Sequence, residues 1–322
     1  KVKNVNIEKT NFKNFKNEKV SRIILEQPKE VSILRNELEE KGIECYEADI
    51  RFAYRYLIDK EIMMSIEIDG EYENGEFVDR IYYDASIVPC NFFPKLKIFS
   101  IDIETSKNSE KLYSIAIYSK NFEKVLMCDE EDMLEEFKKI IIEEDPDIIT
   151  GWNLIDFDLM VLKNKFKEHN IPFNLGRVNE SCKIKLESNF FRDSKADFPG
   201  RIVLDGISLL RMNFVKLNSF KLDNVAKSIL NKKKLIDFTN KGEEIEKLFN
   251  EDKEKLKEYN LHDAKLVYEI LEKIKAIEMV IEKSILTGMP LDRVNASIAS
   301  LDSLYLRELK KKGFVAPSGS YS

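Results

Sequence analysis

Three sets of polar residues stand at spacings that chemistry can use. Asp102 and Glu104 lie two apart in Phe99-Ser-Ile-Asp-Ile-Glu-Thr-Ser106, inside an apolar run that reads as a buried strand. Side chains two apart on a strand point to one face, so the two carboxylates project together. Asn153, Phe157 and Asp158 open a helical stretch just after a short apolar strand. Tyr259 and Asp263 are four apart on a helical stretch, just over one turn, so a phenol and a carboxylate share a face. Asp156 is set aside, because two helical positions are about 200° apart and it cannot face the same site as Asp158.

Burying unpaired charge is costly, and a cation is the usual compensation. Mg²⁺ suits such a pair, since it takes a few carboxylates and retains water. Two divalent ions about 4 Å apart clamp an in-line displacement at phosphorus, one activating water and the other stabilising the leaving oxygen. Four carboxylates are a reasonable ligand count for two ions, and a tyrosine hydroxyl one turn from a ligand can orient the attacking water. Each set alone has an ordinary reading: an exposed strand pair, a helix cap, a solvated Glu/Lys helix. All three together, on strand, helix and helix, favour the chemistry.

Strands alternating with helices position these residues from Lys95 onward, as in an α/β layer. Phe99–Ile103, Leu112–Tyr118, Lys124–Cys128 and Asp147–Thr150 read as strands. Glu130–Glu144 reads as an amphipathic helix with Met133, Leu134, Phe137, Ile140 and Ile141 on one side, ended by Pro146. Asp156–Glu168 reads as a second helix. Asn174–Gly200 suggests a hairpin with Phe190 and Phe191 near its tip, suited to separating strands or simply buried. Arg201–Leu210 is expected as a strand, and Leu217–Leu230, Glu243–Asn250, Lys255–Lys275 and Arg293–Lys312 as helices. Residues 1–96 read as a smaller α+β unit: strands at Val20–Glu26 and Ile43–Tyr46, a helix over Pro28–Gly42, and a hairpin signal at Gly70 and Gly75 after Met63–Asp69. Its aromatic residues can stack on bases or pack a small sheet.

Composition excludes several classes. At 322 residues two domains are the default. No apolar run approaches the roughly 18–20 residues of a membrane span, and Lys1–Val20 lacks the apolar stretch of a signal peptide. Cys45, Cys90, Cys128 and Cys182 are far apart, which argues against a zinc ribbon or disulfide framework and for a reducing cytoplasm. His169 and His262 alone make a histidine metal site or a Ser-His triad implausible. No phosphate-cradling glycine motif is present. The net charge of −6 gives no global basic footprint, although Asn231–Leu235 is locally basic.

The three sets resemble the Exo I, II and III motifs of proofreading 3′–5′ exonucleases, within family B DNA polymerases of the bacterial polymerase II and archaeal type. The likeness runs through Phe99–Ser106, Ile149–Asp158 and Tyr259-Asn-Leu-His-Asp263. It extends to Ala48–Lys60, Ile202–Gly206, Leu217–Ala226 and Thr287–Pro317. It implies a ribonuclease-H-like exonuclease domain, a mixed sheet flanked by helices, over 97–286. It also implies a smaller α+β N-terminal domain over 1–96, joined by 287–322. Asp102, Glu104, Asp158 and Asp263 are then ligands of two divalent ions, Mg²⁺ or Mn²⁺, and Tyr259 orients the water. Glu258 stands where the histidine subclass carries its base, so His262 is read as a packing or surface residue. Asn153, Phe157 and Thr105 are expected to contact the terminal nucleotide.

The implied substrate is a single-stranded 3′ end or a frayed primer terminus of DNA. The implied partners are the palm, fingers and thumb of the polymerase, with a sliding clamp as a further candidate and no membrane. The nucleoid is the implied setting. The family's palm motifs are missing, so no polymerisation is expected from this chain, which reads as a fragment or as half of a split gene. The alternatives are a non-catalytic DNA- or partner-binding module and an RNA exonuclease. The hydrolytic reading requires the four acids to converge beside one phenol, and an arginine or lysine closing the cleft argues against it.

Overall fold

The structure, a computed structural model, describes the chain apart from residues 1, 3, 188–193, 214–216, 218, 233–234, 236–239 and 320–322. The first elements are β1 (Asn6–Lys13), β2 (Lys19–Ile24), α1 (Glu30–Glu39), α2 (Phe52–Asp59), β3 (Ser65–Asp69), β4 (Tyr72–Glu73), β5 (Ile81–Tyr82) and β6 (Ser86–Cys90). There follow β7 (Ile98–Thr105), β8 (Leu112–Ser119), β9 (Phe122–Leu126), α3 (Glu130–Glu144), β10 (Ile148–Gly151), α4 (Asp158–Glu168), β11 (Lys183–Lys185), β12 (Lys195–Asp197) and β13 (Ile202–Asp205). The chain continues through α5 (Gly206–Met212), α6 (Leu222–Leu230), α7 (Lys241–Glu251), α8 (Lys253–Lys273), α9 (Ala276–Thr287) and α10 (Ser297–Lys311).

Two compact units result. One comprises residues 1–70, 84–93 and 281–322, the other residues 71–83 and 94–280. In the first, β1 pairs with β2 and β3 with β6, both antiparallel. The buried Arg307 of α10 donates to the carbonyl of Ile62 (2.9 Å). In the second, a five-stranded mixed sheet has the order β13-β10-β7-β8-β9. The first three strands run parallel, and β8 and β9 continue antiparallel.

One face of this sheet is apolar. Phe99, Ile101 and Ile103 of β7 and Ile115 and Ile117 of β8 join Met133, Leu134 and Phe137 of α3 and Leu159 and Leu162 of α4 in a single core. The helix α3 fills its expected span, and Asp145 ends it in the left-handed region at φ 48°, before Pro146. The other face of β7 carries Ser100, Asp102 and Glu104, and α8 packs against β7 and β8 on that side. Opposite Asp102 and Glu104 stand the small residues Ala116 and Ser114, which let α8 approach.

Several expectations differ from the structure. The strand expected over Arg201–Leu210 stops at Asp205, whose Oδ1 accepts from the N–H groups of Ile207 (2.9 Å) and Ser208 (3.2 Å) and caps α5. An apolar run with a capping aspartate inside it is therefore strand and then helix. Ile43–Tyr46 forms no strand, and Tyr46 has only an isolated bridge to Pro317. The Gly70–Gly75 signal does not turn β3 onto the next strand. The partner of β3 is β6, and the small β4–β5 hairpin intervenes. β1 was not legible in its Lys/Asn-rich sequence. α4 begins at Asp158, α6 at Leu222 and α10 at Ser297, each later than periodicity suggests. Phe190 and Phe191 lie outside the described residues, although β11 and β12 form the hairpin that leads to them.

Candidate active site

The strand β7 and the helix α8 build the site. On α8, Leu256, Tyr259, Asn260, Asp263, Ala264, Val267, Ile270 and Leu271 are buried, the stripe of a helix seated on a sheet. Three polar residues inside this stripe need partners. Asp102, Glu104 and Asp263 each offer a carboxylate oxygen within 4.8 Å of the other two. Glu104 and Asp263 are buried and Asp102 is half-buried. The phenol of Tyr259 is hydrogen-bonded to Asp263. Burial first, then the charges of Asp263, Glu104 and Asp102, hold the phenol pKa far above its ordinary value, so it stays protonated.

A bulge shapes this end of the sheet. Glu104 pairs with Ser114 but Thr105 with Leu112, so Tyr113 is the extra residue. Tyr113 turns to the α7–α8 side, stacks on Phe249 with centroids 4.1 Å apart, and joins Ile245, Leu256 and Tyr259 in a small apolar cluster. Ser114 follows on the same side, and its hydroxyl donates to Asn260 Oδ1 (2.8 Å). Asn260 in turn donates from Nδ2 to Asp102 Oδ2 (2.7 Å).

Asp158 is buried at the start of α4 and accepts from the backbone N–H of Ile103 (3.1 Å). It lies outside the group of three carboxylates. Burial and the neighbouring Asp102 push its pKa well above the carboxylate range, outweighing that N–H and the charge of Lys241. Asn153 is exposed in the left-handed conformation at φ 57°, and its carbonyl accepts from the N–H of Phe157 (3.1 Å). Phe157 is 41% exposed. The hydroxyl of Thr105 donates to the carbonyl of Ser106 (3.0 Å). Asp156 is exposed, and His262 is half-buried on α8.

Lys241, at the start of α7, was not singled out in the sequence. Its ammonium lies 2.9 Å from Glu104 Oε1 and 5.7 Å from the Tyr259 ring centre. About half of its side chain is exposed, 53%, against 4% for Glu104. Loss of water around the ammonium works against its charge, yet Glu104, Asp102 and Asp263 outweigh that and raise its pKa. Among the described residues the cleft thus gathers three carboxylates, with Asp158 beside them and Lys241 against Glu104. Hard anionic oxygens outnumber the cation, a donor set that fits a divalent ion.

Residues 114–225 match the profile described as DNA polymerase family B, exonuclease domain. The chain is 31% identical to DNA polymerase II of Escherichia coli (strain K12) over 331 residues, covering 95% of this chain and 41% of the relative. It is 30% identical to a DNA polymerase of Archaeoglobus fulgidus, covering 90% of this chain and 37% of that one. The structure of the family B DNA polymerase from Pyrobaculum calidifontis superposes with a TM-score of 0.78 at 22% identity, over all of this chain and 44% of the other. Residues 114–225 thus carry the exonuclease-domain profile of family B DNA polymerases, and nine tenths or more of the chain aligns with DNA polymerases of this kind. The chain spans about two fifths of the length of these relatives. Among the described residues, no helix is long and apolar enough to cross a membrane.

Proposed function

We propose that this chain is the proofreading portion of a family B DNA polymerase and removes nucleotides from DNA 3′ ends. The observation that carries the proposal is the convergence of Asp102, Glu104 and Asp263 beside the Tyr259 phenol. Asp102, Glu104 and Asp263 would hold divalent metal, two Mg²⁺ or Mn²⁺ ions, with Asp158 as a fourth ligand from the neighbouring helix. Bound metal supplies Lewis acidity to the water and to the leaving oxygen.

The chain's own residues do the rest. Tyr259 keeps its proton and donates a hydrogen bond to Asp263, which leaves a phenol lone pair to accept from the attacking water and aim it. The water oxygen bonds to phosphorus as the bond to the 3′-oxygen of the penultimate nucleotide breaks; the water gives up one proton to solvent and the departing oxygen takes one from solvent. The products are a 5′-monophosphate and a strand with a new 3′-hydroxyl. Phe157, Asn153 and Thr105 would contact the terminal nucleotide, the first through its exposed ring. A frayed end is preferred because a mismatched base is cheaper to unpair. The remaining polymerase domains, and a sliding clamp, would supply duplex and processivity.

The rival reading, a non-catalytic binding module, draws support from Lys241 against Glu104. One assay separates the two. Laddering of 5′-labelled single-stranded DNA in Mg²⁺ or Mn²⁺, lost in Asp102→Ala with DNA binding retained, is the result expected of the nuclease. Binding without laddering in both forms would leave only the module.

A further inference from the structure

Asn260 carries no charge, yet it is fully buried on α8 beside the three-carboxylate cluster. We infer that Asn260, locked by Ser114, is the positioning residue that fixes the carboxylate of Asp102 for metal. The inference rests on the metal-dependent reading proposed above.

The geometry gives the amide one orientation. Ser114 Oγ donates to Asn260 Oδ1 at 2.8 Å, so the amide oxygen faces β8. The amide nitrogen must then face β7, where it meets Asp102 Oδ2 at 2.7 Å. Asp102 sits on the central strand of the sheet, Ser114 on its antiparallel neighbour and Asn260 on the helix above. The relay therefore ties three elements together at the point where the acids converge. An amide is suited to this place. It donates to Asp102 without adding a fourth charge to the cluster, and it neutralises nothing that a cation must balance. Holding one oxygen of Asp102 fixes the plane of the carboxylate and the direction of the other oxygen. Partners of this kind around a metal site typically change affinity roughly 10- to 100-fold when removed.

Ser114 pairs with Glu104 in the regular register, on the same face as Ala116, so strand alternation alone points it at α8. The bulge begins just beyond it, and without the extra residue the Tyr113 ring would face the apolar core with Ile115 and Ile117. With it, Tyr113 and Ser114 both serve the α8 side, one packing under Tyr259 and the other reaching Asn260.

The test uses the whole 322-residue chain. Mn²⁺ binding is followed without DNA by the electron paramagnetic resonance of free Mn²⁺, for the wild type, Asn260→Ala, Ser114→Ala and Asp102→Ala. Asn260→Ala should weaken Mn²⁺ binding by roughly 10- to 100-fold. Ser114→Ala, a milder change that frees the amide to turn over, should weaken it several-fold and keeps the test decisive if Asn260→Ala fails to fold. On labelled DNA, Asn260→Ala should lower kcat at limiting Mn²⁺, recover it with excess Mn²⁺ and leave KM for DNA unchanged, whereas excess Mn²⁺ should not rescue Asp102→Ala. Mn²⁺ affinity within twofold of wild type in the folded variants overturns the inference and leaves the nuclease standing. A wild type that binds no Mn²⁺ overturns the metal reading and this inference with it.

Discussion

The ammonium of Lys241 stands 2.9 Å from Oε1 of the buried Glu104, in the cleft where three carboxylates meet. It is a protein cation placed against a carboxylate that the proposed metal site would use. With Lys241 removed, Glu104 would be a buried charge with less compensation. Lys241→Met is therefore expected to lower the metal-free melting temperature by about 2–4 °C, on the order of 1 kcal/mol once the exposure of the lysine is discounted. Saturating Mn²⁺ should then raise the melting temperature more in the variant than in the wild type. Paired melts with and without Mn²⁺ check this. Equal Mn²⁺ shifts in the two proteins would show that Lys241 and metal do not compete.

Tyr259→Phe isolates the phenol oxygen. The ring packs with Tyr113, Ile245 and Leu256, and phenylalanine keeps that packing. The hydroxyl bonded to Asp263 is lost. The expected outcome is a fall in kcat on the order of 10²-fold, the scale of losing one well-placed hydrogen bond, with KM for DNA and the melting temperature little changed. Single-turnover cleavage of labelled single-stranded DNA measures it. An unchanged rate would remove Tyr259 from the reaction.

The parts of the site that follow a period were legible in the sequence. Asp102 and Glu104 share a face because strands repeat every second residue, and Tyr259 and Asp263 because helices nearly repeat every fourth. The α3 helix was legible to its ends because Pro146 punctuates an unbroken apolar stripe. What was not legible depends on distance in space. Lys241 is one of 52 lysines and arginines, and nothing local sets it apart from the solvated ones. Ser114 faces α8 by ordinary strand alternation, but nothing local shows that Asn260, distant in sequence, meets it there. Asn260 sits beside Tyr259 in sequence, so its place on the inner face could have been read from the same turn of helix. Asp205 hid a helix start inside an apolar run, and only its capping hydrogen bonds expose the change.

Acid should weaken one anchor of the sheet. Asp145 accepts from Arg177 Nε (2.8 Å) and from the buried Arg201 (2.6 Å), and Arg177 also reaches Asp147 (2.8 Å). Asp147 Oδ2 accepts from the Lys97 N–H (2.7 Å), which joins the start of β10 to the start of β7. Burial alone would raise the pKa of Asp145, but Arg177 and Arg201 outweigh it and hold it below the ordinary value. A pKa lower in the folded than in the unfolded chain stabilises the fold above about pH 4, and that contribution fades as pH falls through the folded value. Asp145→Asn keeps a residue that tolerates the left-handed φ of 48° and removes the charge. The variant should melt several degrees below wild type at neutral pH, and the gap should close toward pH 3. A gap that persists undiminished in acid would assign the loss to packing.

Gly151 tests whether the site depends on how closely β10 lies against β7. A Cβ built there would stand 2.6 Å from the carbonyl oxygen of Ile101, a backbone atom that cannot swing aside. Ile101 precedes Asp102, so relief of the clash must move the strand that carries two of the three clustered carboxylates. Gly151→Ala is expected to destabilise the fold by about 1–3 kcal/mol, the range for overpacking a tight interior. It should also weaken Mn²⁺ binding, although residue 151 is no ligand. Urea unfolding gives the first quantity and Mn²⁺ titration of the folded variant the second. If stability falls while Mn²⁺ affinity holds, β7 absorbs the shift away from Asp102, and the acids are held from the α8 side, through Asn260, rather than from β10.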